Sequence, residues 1–312
     1  MTADSHPQAT TGTLCGVGAY SVWGLFPLYF HLLIPASAWE ILGNRIVWTM
    51  LCCVVVLAAL RQFGFVRGLL ADRRRLAMTA AAGVAIAANW VIYVQAVVTG
   101  HVTQASLGYF LNPLFTVALG VLVLRERLRP LQVAAVVVGL VACIYLAVDD
   151  GHVPWIALSL AFSFGLYGLI KNRVGGHLTA LQGLTTETVL LTPPAAIMLI
   201  VLAVRDESTF TTEGWGHTLL LMSTGVATAI PLLLFAAAAS RIPLVSVGLL
   251  QFITPVLQLI CGVAILGEHL SPGRWVGFGI VWLALTLLSI DAVREATQTR
   301  RLTRRRIDGT AI

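Results

Sequence analysis

Apolar residues in this chain come in long runs separated by short polar breaks. A helix needs about 20 apolar residues to cross a hydrocarbon core roughly 30 Å thick. The pattern predicts ten such spans, at 12–33, 39–60, 76–98, 102–124, 130–147, 153–171, 179–203, 217–239, 243–266 and 274–291. Chain-breaking residues fall between or just inside them: Pro35, Gly100, Pro130, Gly151, Gly175, Gly176, Gly214, Pro243 and Pro272. The first eleven residues are polar and carry no Lys or Arg, and the run that follows is too long for a signal peptide, so an uncleaved first helix is expected. The polar, basic segment from Arg294 onward is expected to be an unstructured tail.

Composition agrees with this reading. Of 312 residues, 58% are apolar and 11% charged, against about 45–50% and 25% in soluble proteins, and the mean hydropathy is +0.87. So few charges cannot cover the surface of a soluble fold of this size. Disordered, collagen-like, coiled-coil and disulfide-scaffold classes are excluded, leaving an all-α polytopic membrane protein. The five cysteines, Cys15, Cys52, Cys53, Cys143 and Cys261, lie inside apolar runs with no C-x-x-C spacing, and read as small hydrophobes.

The net charge of +6 gains its meaning from distribution. All basic residues but Lys171 are Arg. Seventeen of the twenty fall in one alternate set of breaks and tails, Arg205 and Arg274 fall in the other, and Arg45 lies within a span. That asymmetry is the positive-inside pattern of an even-span protein with both termini cytoplasmic, not a nucleic-acid surface.

The chain also repeats itself. Shifted by 142 residues, 83–130 aligns with 225–272 with fourteen identities in 48 positions, among them Gly83/Gly225, Pro113/Pro255, Gly120/Gly262, Glu126/Glu268 and Pro130/Pro272. Each unit spans five helices, an odd number, so the second unit, 153–291, runs through the bilayer upside down relative to the first, 12–147. Inverted repeats are the architecture of alternating-access transporters, with substrate near the midplane between the halves.

Four stretches carry a family likeness: Tyr20 to Tyr29 (YSVWGLFPLY), Glu40 to Trp48 (EILGNRIVW), Ala88 to Tyr93 (ANWVIY) and Gly100 to Leu114 (GHVTQASLGYFLNPL). Together they make the chain similar, from about residue 12 to 291, to the EamA-type transporters of the drug/metabolite transporter superfamily, and specifically to the RarD subgroup. The resemblance implies ten helices in two inverted halves, a bacterial inner-membrane location and movement of small organic solutes. Asn44 and Gln95 depart from the subgroup pattern, which more often has His and an aromatic there.

Arg45 is the sharpest candidate for chemistry. A charge about six residues into the second span, ~9 Å along the helix, costs at least ~2.5–3.5 kcal/mol and should face a cavity or a partner. The alternative is snorkelling to the headgroups. Glu187, its repeat mate, is a carboxylate deep in the seventh span. Either the two pair near the midplane, or each serves a separate gate, and a titrating Glu187 would be the candidate for proton coupling.

Asn89, Trp90 and Tyr93 on the third span, with Tyr109 and Asn112 on the fourth, mix amides with aromatic rings, as a pocket for a partly apolar molecule would. Interhelical hydrogen bonding is the plainer role for the amides. Gln251, repeat mate of Tyr109, joins them, and Trp23 and Tyr20 are candidates to close the cavity. Pro113 and Pro255 kink symmetric helices and are candidate hinges. Glu126 and Glu268 are expected to favour the N-termini of the helices that follow them.

No His, Cys or acidic spacing resembles a metal site, and no nucleotide-binding or hydrolase motif occurs, so no cofactor is expected. The reading is a secondary transporter, exporter or exchanger, of small organic metabolites or drug-like solutes, with protons as the candidate coupling ion and the chain a monomer or homodimer in the bilayer. The rivals are a passive facilitator of the same fold and a membrane-embedded enzyme.

Overall fold

The structure is a computed structural model and describes residues 5–124, 128–174, 178–239, 241–242 and 250–309. Glu126 and the start of the ninth predicted span, 243–249, lie outside the described residues. The elements are α1 (Ser5–Gly24), α2 (Phe26–His31), α3 (Ala38–Ala59), α4 (Phe65–Ala71), α5 (Arg73–Val98), α6 (Val102–Leu124), α7 (Pro130–Asp149), α8 (Trp155–Val174), α9 (Ala180–Val204), α10 (Gly214–Ala239), α11 (Ile253–Ile260) with a π turn at Cys261–Ile265, and α12 (Pro272–Gly309). Among the described residues there is no strand.

Among the described residues, seven helical segments are long and apolar enough to cross a membrane: Thr10–His31, Ala38–Ala59, Arg73–Val98, Pro130–Asp149, Ala180–Val204, Gly214–Ala238 and Pro272–Arg294. Shorter apolar stretches run Trp155–Lys171 and Ile253–Ile265. Their outer faces carry exposed Leu, Ile, Val and Trp side chains, among them Val55, Leu140, Val148, Ile197, Ile200 and Trp282, as lipid contact requires. The protein is a multi-pass membrane protein.

Local sequence sets the helix ends. Ser37 Oγ accepts from Glu40 N and starts α3. Asp72 accepts from Arg75 N and starts α5. Thr179 and Gln182 cap each other's backbone at the start of α9. Proline stands at the first position of α7 and α12, where its missing N–H costs nothing.

Two elements differ from the pattern-based expectation. The first span is broken at Leu25, because Pro27 has no N–H for the Trp23 carbonyl and α1 gives way to the short α2. The tail beyond Arg294 continues as helix to Gly309. An anchored span supplies the nucleus, and the Arg, Glu, Ala and Leu residues that follow propagate helix readily.

Helix pairings close into a ring. In order around it, α1 packs on α10, α10 on α3, α3 on α9, α9 on α5, α5 on α8, α8 on α6, α6 on α11 and α11 on α1. The pair α7 and α12 stands outside this ring, against α6. It is pinned near both ends by ion pairs, Arg129–Asp291 at 2.6 Å and Arg274–Asp150 at 2.8 Å. Glycine brings ring neighbours close: a side chain at Gly225 of α10 would run into the Trp48 carbonyl of α3, with Thr49 N 2.8 Å from its Cβ.

Candidate functional site

Arg45 lies seven residues into α3, inside the ring, and is 4% exposed. Its guanidinium carbon sits 4.1 Å from the centre of the Trp90 ring and 5.5 Å from those of Phe26 and Phe30. Nε donates to Thr228 Oγ1 on α10 at 3.0 Å. The Tyr29, Tyr93 and Tyr109 hydroxyls lie within its electrostatic reach. The side chain does not snorkel: it is enclosed by α2, α5 and α10. The N-terminal end of α3 is itself closed by Glu40, whose buried carboxylate accepts from Ser208 Oγ (2.8 Å), Thr209 N (2.7 Å) and Thr209 Oγ1 (2.8 Å) in the α9–α10 loop.

Magnitudes show what this cage leaves undone. Dehydrating an ion inside a protein costs several kcal/mol. A desolvated cation–π contact returns about 2 kcal/mol, and one hydrogen bond to a charged group about 1.5–3 kcal/mol. The rings and Thr228 offset much of the penalty, but among the described residues no carboxylate neutralises Arg45.

Glu187, on α9, is 1% exposed. It is not paired with Arg45. Lys171 Nζ donates to its Oε1 at 2.6 Å and Tyr167 OH to its Oε2 at 3.4 Å. Lys171, counted as a loop residue from the pattern, lies in the last turn of α8. Glu187 is therefore half of an ion pair and not the lone carboxylate that the spacing suggested.

Asn89 is fully engaged. Its Nδ2 donates to Leu160 O and Ser163 Oγ, both at 3.0 Å, and its Oδ1 accepts from Tyr109 OH at 3.3 Å. It ties α5 to α8, the plainer of its two roles. Trp90 forms the wall of the Arg45 cage, while Tyr93 and Tyr109 face each other with ring centres 5.4 Å apart. Asn112 is buried, and among the described residues its Oδ1 has no partner. Trp23 packs against Tyr20 and Phe235 at 5.5 and 6.0 Å. Gln251 is half-buried, and among the described residues its side chain makes no hydrogen bond to the others. Gln95 is exposed.

Pro113 lies within α6 and Pro255 near the start of α11. Pro255 thus stands in the first turn of its helix and not in the middle of one as expected, where its missing N–H costs no helical bond; its carbonyl accepts from Ser106 Oγ at 2.7 Å and ties α11 to α6. Glu268 caps a different helix from the one expected: its carboxylate accepts from Val102 N and, at 2.8 Å, from Thr103 N, at the start of α6. The chain leaves the π turn through Gly267, whose φ of 71° is left-handed, and Glu268 N returns to Gly262 O at 2.9 Å, beside the start of α6.

Pattern reading missed Gln258. It is 2% exposed, and its Nε2 donates to Tyr93 OH at 3.2 Å and to Trp23 O at 3.4 Å, while Oε1 is unpartnered. Pro27 had freed that Trp23 carbonyl, four residues earlier. An amide in the middle of an apolar run, opposite a proline-opened turn, was the available signal.

A ring of apolar helices enclosing buried charges is an arrangement that membrane transporters use. The EamA-like transporter family model matches this chain twice, over residues 10–148 and 153–290. The chain belongs to that family. It is 47% identical over 293 residues to the protein RarD of Streptomyces exfoliatus, covering 94% of this chain and 92% of the relative. It is 42% identical over 286 residues to a protein of Pseudomonas aeruginosa named an uncharacterized transporter, covering 91% and 95%. A crystal structure with 17% identity superposes over 91% of this chain and 98% of its own, with a TM-score of 0.57, and shares the fold.

Proposed function

We propose that this membrane transporter has ten spans in two inverted halves, 12–147 and 153–291, and moves a small organic solute outward or in exchange by alternating access. Both termini lie in the cytoplasm of a bacterial inner membrane. One observation carries the reading. Under the 142-residue shift α1 exchanges with α8, α3 with α9, α5 with α10, α6 with α11 and α7 with α12. The pairing α6–α8 then becomes α11–α1, α5–α8 becomes α10–α1, and α3–α10 becomes α9–α5; all six pairings are present. The ring maps onto itself, as two interchangeable gates require.

In this reading Arg45, Trp90, Tyr93, Tyr109, Asn112 and the newly found Gln258 line the solute site. Asn89 holds its wall, and Gln251 contributes its backbone to the α11 turn. Glu187 with Lys171 forms the second gate, Trp23 the first, and Pro113 and Pro255 mark the hinges. Protons enter through the Lys171–Glu187 pair, which opens when the carboxylate is neutralised.

The test combines topology with flux. Reporter fusions at Asp150 and Gly214 should report the outer side and one at Arg73 the cytoplasm. Proteoliposomes of purified protein should move at least one component of a metabolite mixture, and Glu187→Gln should lose accumulation driven by a pH gradient while keeping exchange. A cytoplasmic Gly214 reporter overturns the ten-span arrangement, and unchanged accumulation in Glu187→Gln overturns the proton route.

A further inference from the structure

The Arg45 cage also indicates the chemistry of the solute, and this step rests on the transporter reading above. A guanidinium has five N–H donors. One, on Nε, is taken by Thr228. The four on Nη1 and Nη2 have no hydrogen-bond partner among the described residues, although the residue is 4% exposed. The buried acidic side chains nearest in the fold are engaged elsewhere, Glu187 by Lys171 and Glu40 by Ser208 and Thr209.

Geometry narrows what completes the set. The Trp90 ring centre lies 4.1 Å from the guanidinium carbon, and the N–H donors of a guanidinium point outward in its own plane, so an anion approaches in that plane, along the Nη edge. That edge presents two parallel donors, the match for the two oxygens of a carboxylate. The site holds one positive charge, so a monoanion leaves it neutral, whereas a dianion such as a phosphate monoester would leave a charge uncompensated inside the membrane. Phe26 and Phe30 flank the cation at 5.5 Å and offer apolar surface to the rest of the molecule. Gln258, bonded to Tyr93, holds a buried Oε1 with no donor among the described residues, an acceptor for an N–H or O–H on the same solute.

We propose that Arg45 docks a single carboxylate of an organic solute whose apolar body lies against the surrounding aromatic rings. The experiment uses matched probes: phenylacetate, 3-phenylpropionate, indole-3-acetate and isovalerate, each beside its neutral primary amide. Apparent melting temperature of the purified full chain is measured against probe concentration for wild type, Arg45→Lys and Arg45→Gln, and flux of stabilising probes is measured in proteoliposomes.

Acids should stabilise the wild type and their amides should not. The half-saturating concentration should rise about tenfold in Arg45→Lys, which keeps the charge but loses the fork, and about a hundredfold in Arg45→Gln. If Arg45→Gln does not fold, an unchanged acid response in Arg45→Lys overturns the docking role. So does stabilisation by amides equal to that by acids, an acid arm that stabilises nothing, or an Arg45→Gln response like the wild type's. The two readings fail separately. Acids that bind at Arg45 but are not carried across proteoliposomes refute transport and leave the site standing; amides carried in preference to acids do the reverse.

Discussion

Arg45 and Glu187 occupy the same address in the two halves of the chain, and the fold treats them differently. Residues 45 and 187 differ by 142, as do 29 and 171. At the first address the partner position is Tyr29, which donates to Leu220 O at 3.0 Å and lies 2.7 Å from Ser223 Oγ, and the cation is held by rings and a threonine hydroxyl. At the second the partner is Lys171, and the carboxylate is held by an opposite charge that is 33% exposed. Opposite charges at symmetric positions are thus not each other's counter-ions. One site is internally neutral, and the other is one charge short.

The largest difference should come from splitting the neutral site. Lys171→Ala leaves a 1% exposed carboxylate without its cation, a loss of roughly 3–5 kcal/mol. Glu187→Ala leaves a lysine that turns to water, at about 1 kcal/mol or less. Thermal unfolding in detergent should therefore rank Lys171→Ala well below Glu187→Ala, and equal losses would break the contrast.

A smaller effect tests the packing beneath the two addresses. Gly225 and Gly83 are repeat mates, yet an added Cβ meets the Trp48 backbone at Gly225, whereas at Gly83 it meets Leu191 Cδ1 at 3.4 Å and Glu187 O at 3.5 Å, ordinary contacts. Gly225→Ala should lower stability by about 1–3 kcal/mol by forcing α10 off α3, and Gly83→Ala should be close to neutral or slightly stabilising. Folded yield and apparent melting temperature report both.

The smallest effect sharpens the comparison most. In a double-mutant cycle of Arg45→Ala and Glu187→Ala, stability losses should add within about 0.5 kcal/mol, because the two residues share no partner. A coupling above about 1 kcal/mol would mean that they meet in a state this structure does not represent.

Much of this was open to inspection in the sequence, for physical reasons. Helix positions follow from runs long enough to span hydrocarbon, and Arg45 stood out because a charge there has a high insertion cost. What escaped was anything decided across helices. Lys171 looked like a topology signal at a span end, and only the approach of α8 to α9 made it the partner of Glu187. Asn89 could line a pocket or bind helices together, and the nearness of the Leu160 carbonyl and Ser163 decided it. The repeat points to Gln251, the mate of Tyr109, and is silent on Gln258; in the fold Gln251 falls in the turn ahead of α11 and is half-buried, while Gln258 takes the buried position. The break at Leu25 needed Pro27 to be weighed as the loss of one specific carbonyl's donor.

The carboxylate of Glu268 has a mechanical consequence. It spans the first two free amides of α6, Val102 N and Thr103 N, while Ser106 on the same helix holds the Pro255 carbonyl. Pulling α6 away from α11 would strand these donors and a carboxylate at once, so a change of shape that leaves the bonds intact carries both helices as one stiff plate. Tyr109 and Asn112 ride on that plate with Gln258, and the Gln258–Tyr93 and Tyr109–Asn89 hydrogen bonds fasten it to α5, whereas Arg45 stands on α3 across the ring. In the alternating-access cycle proposed above, the distance between the Gln258 amide and the Arg45 guanidinium would then report how far the plate has moved.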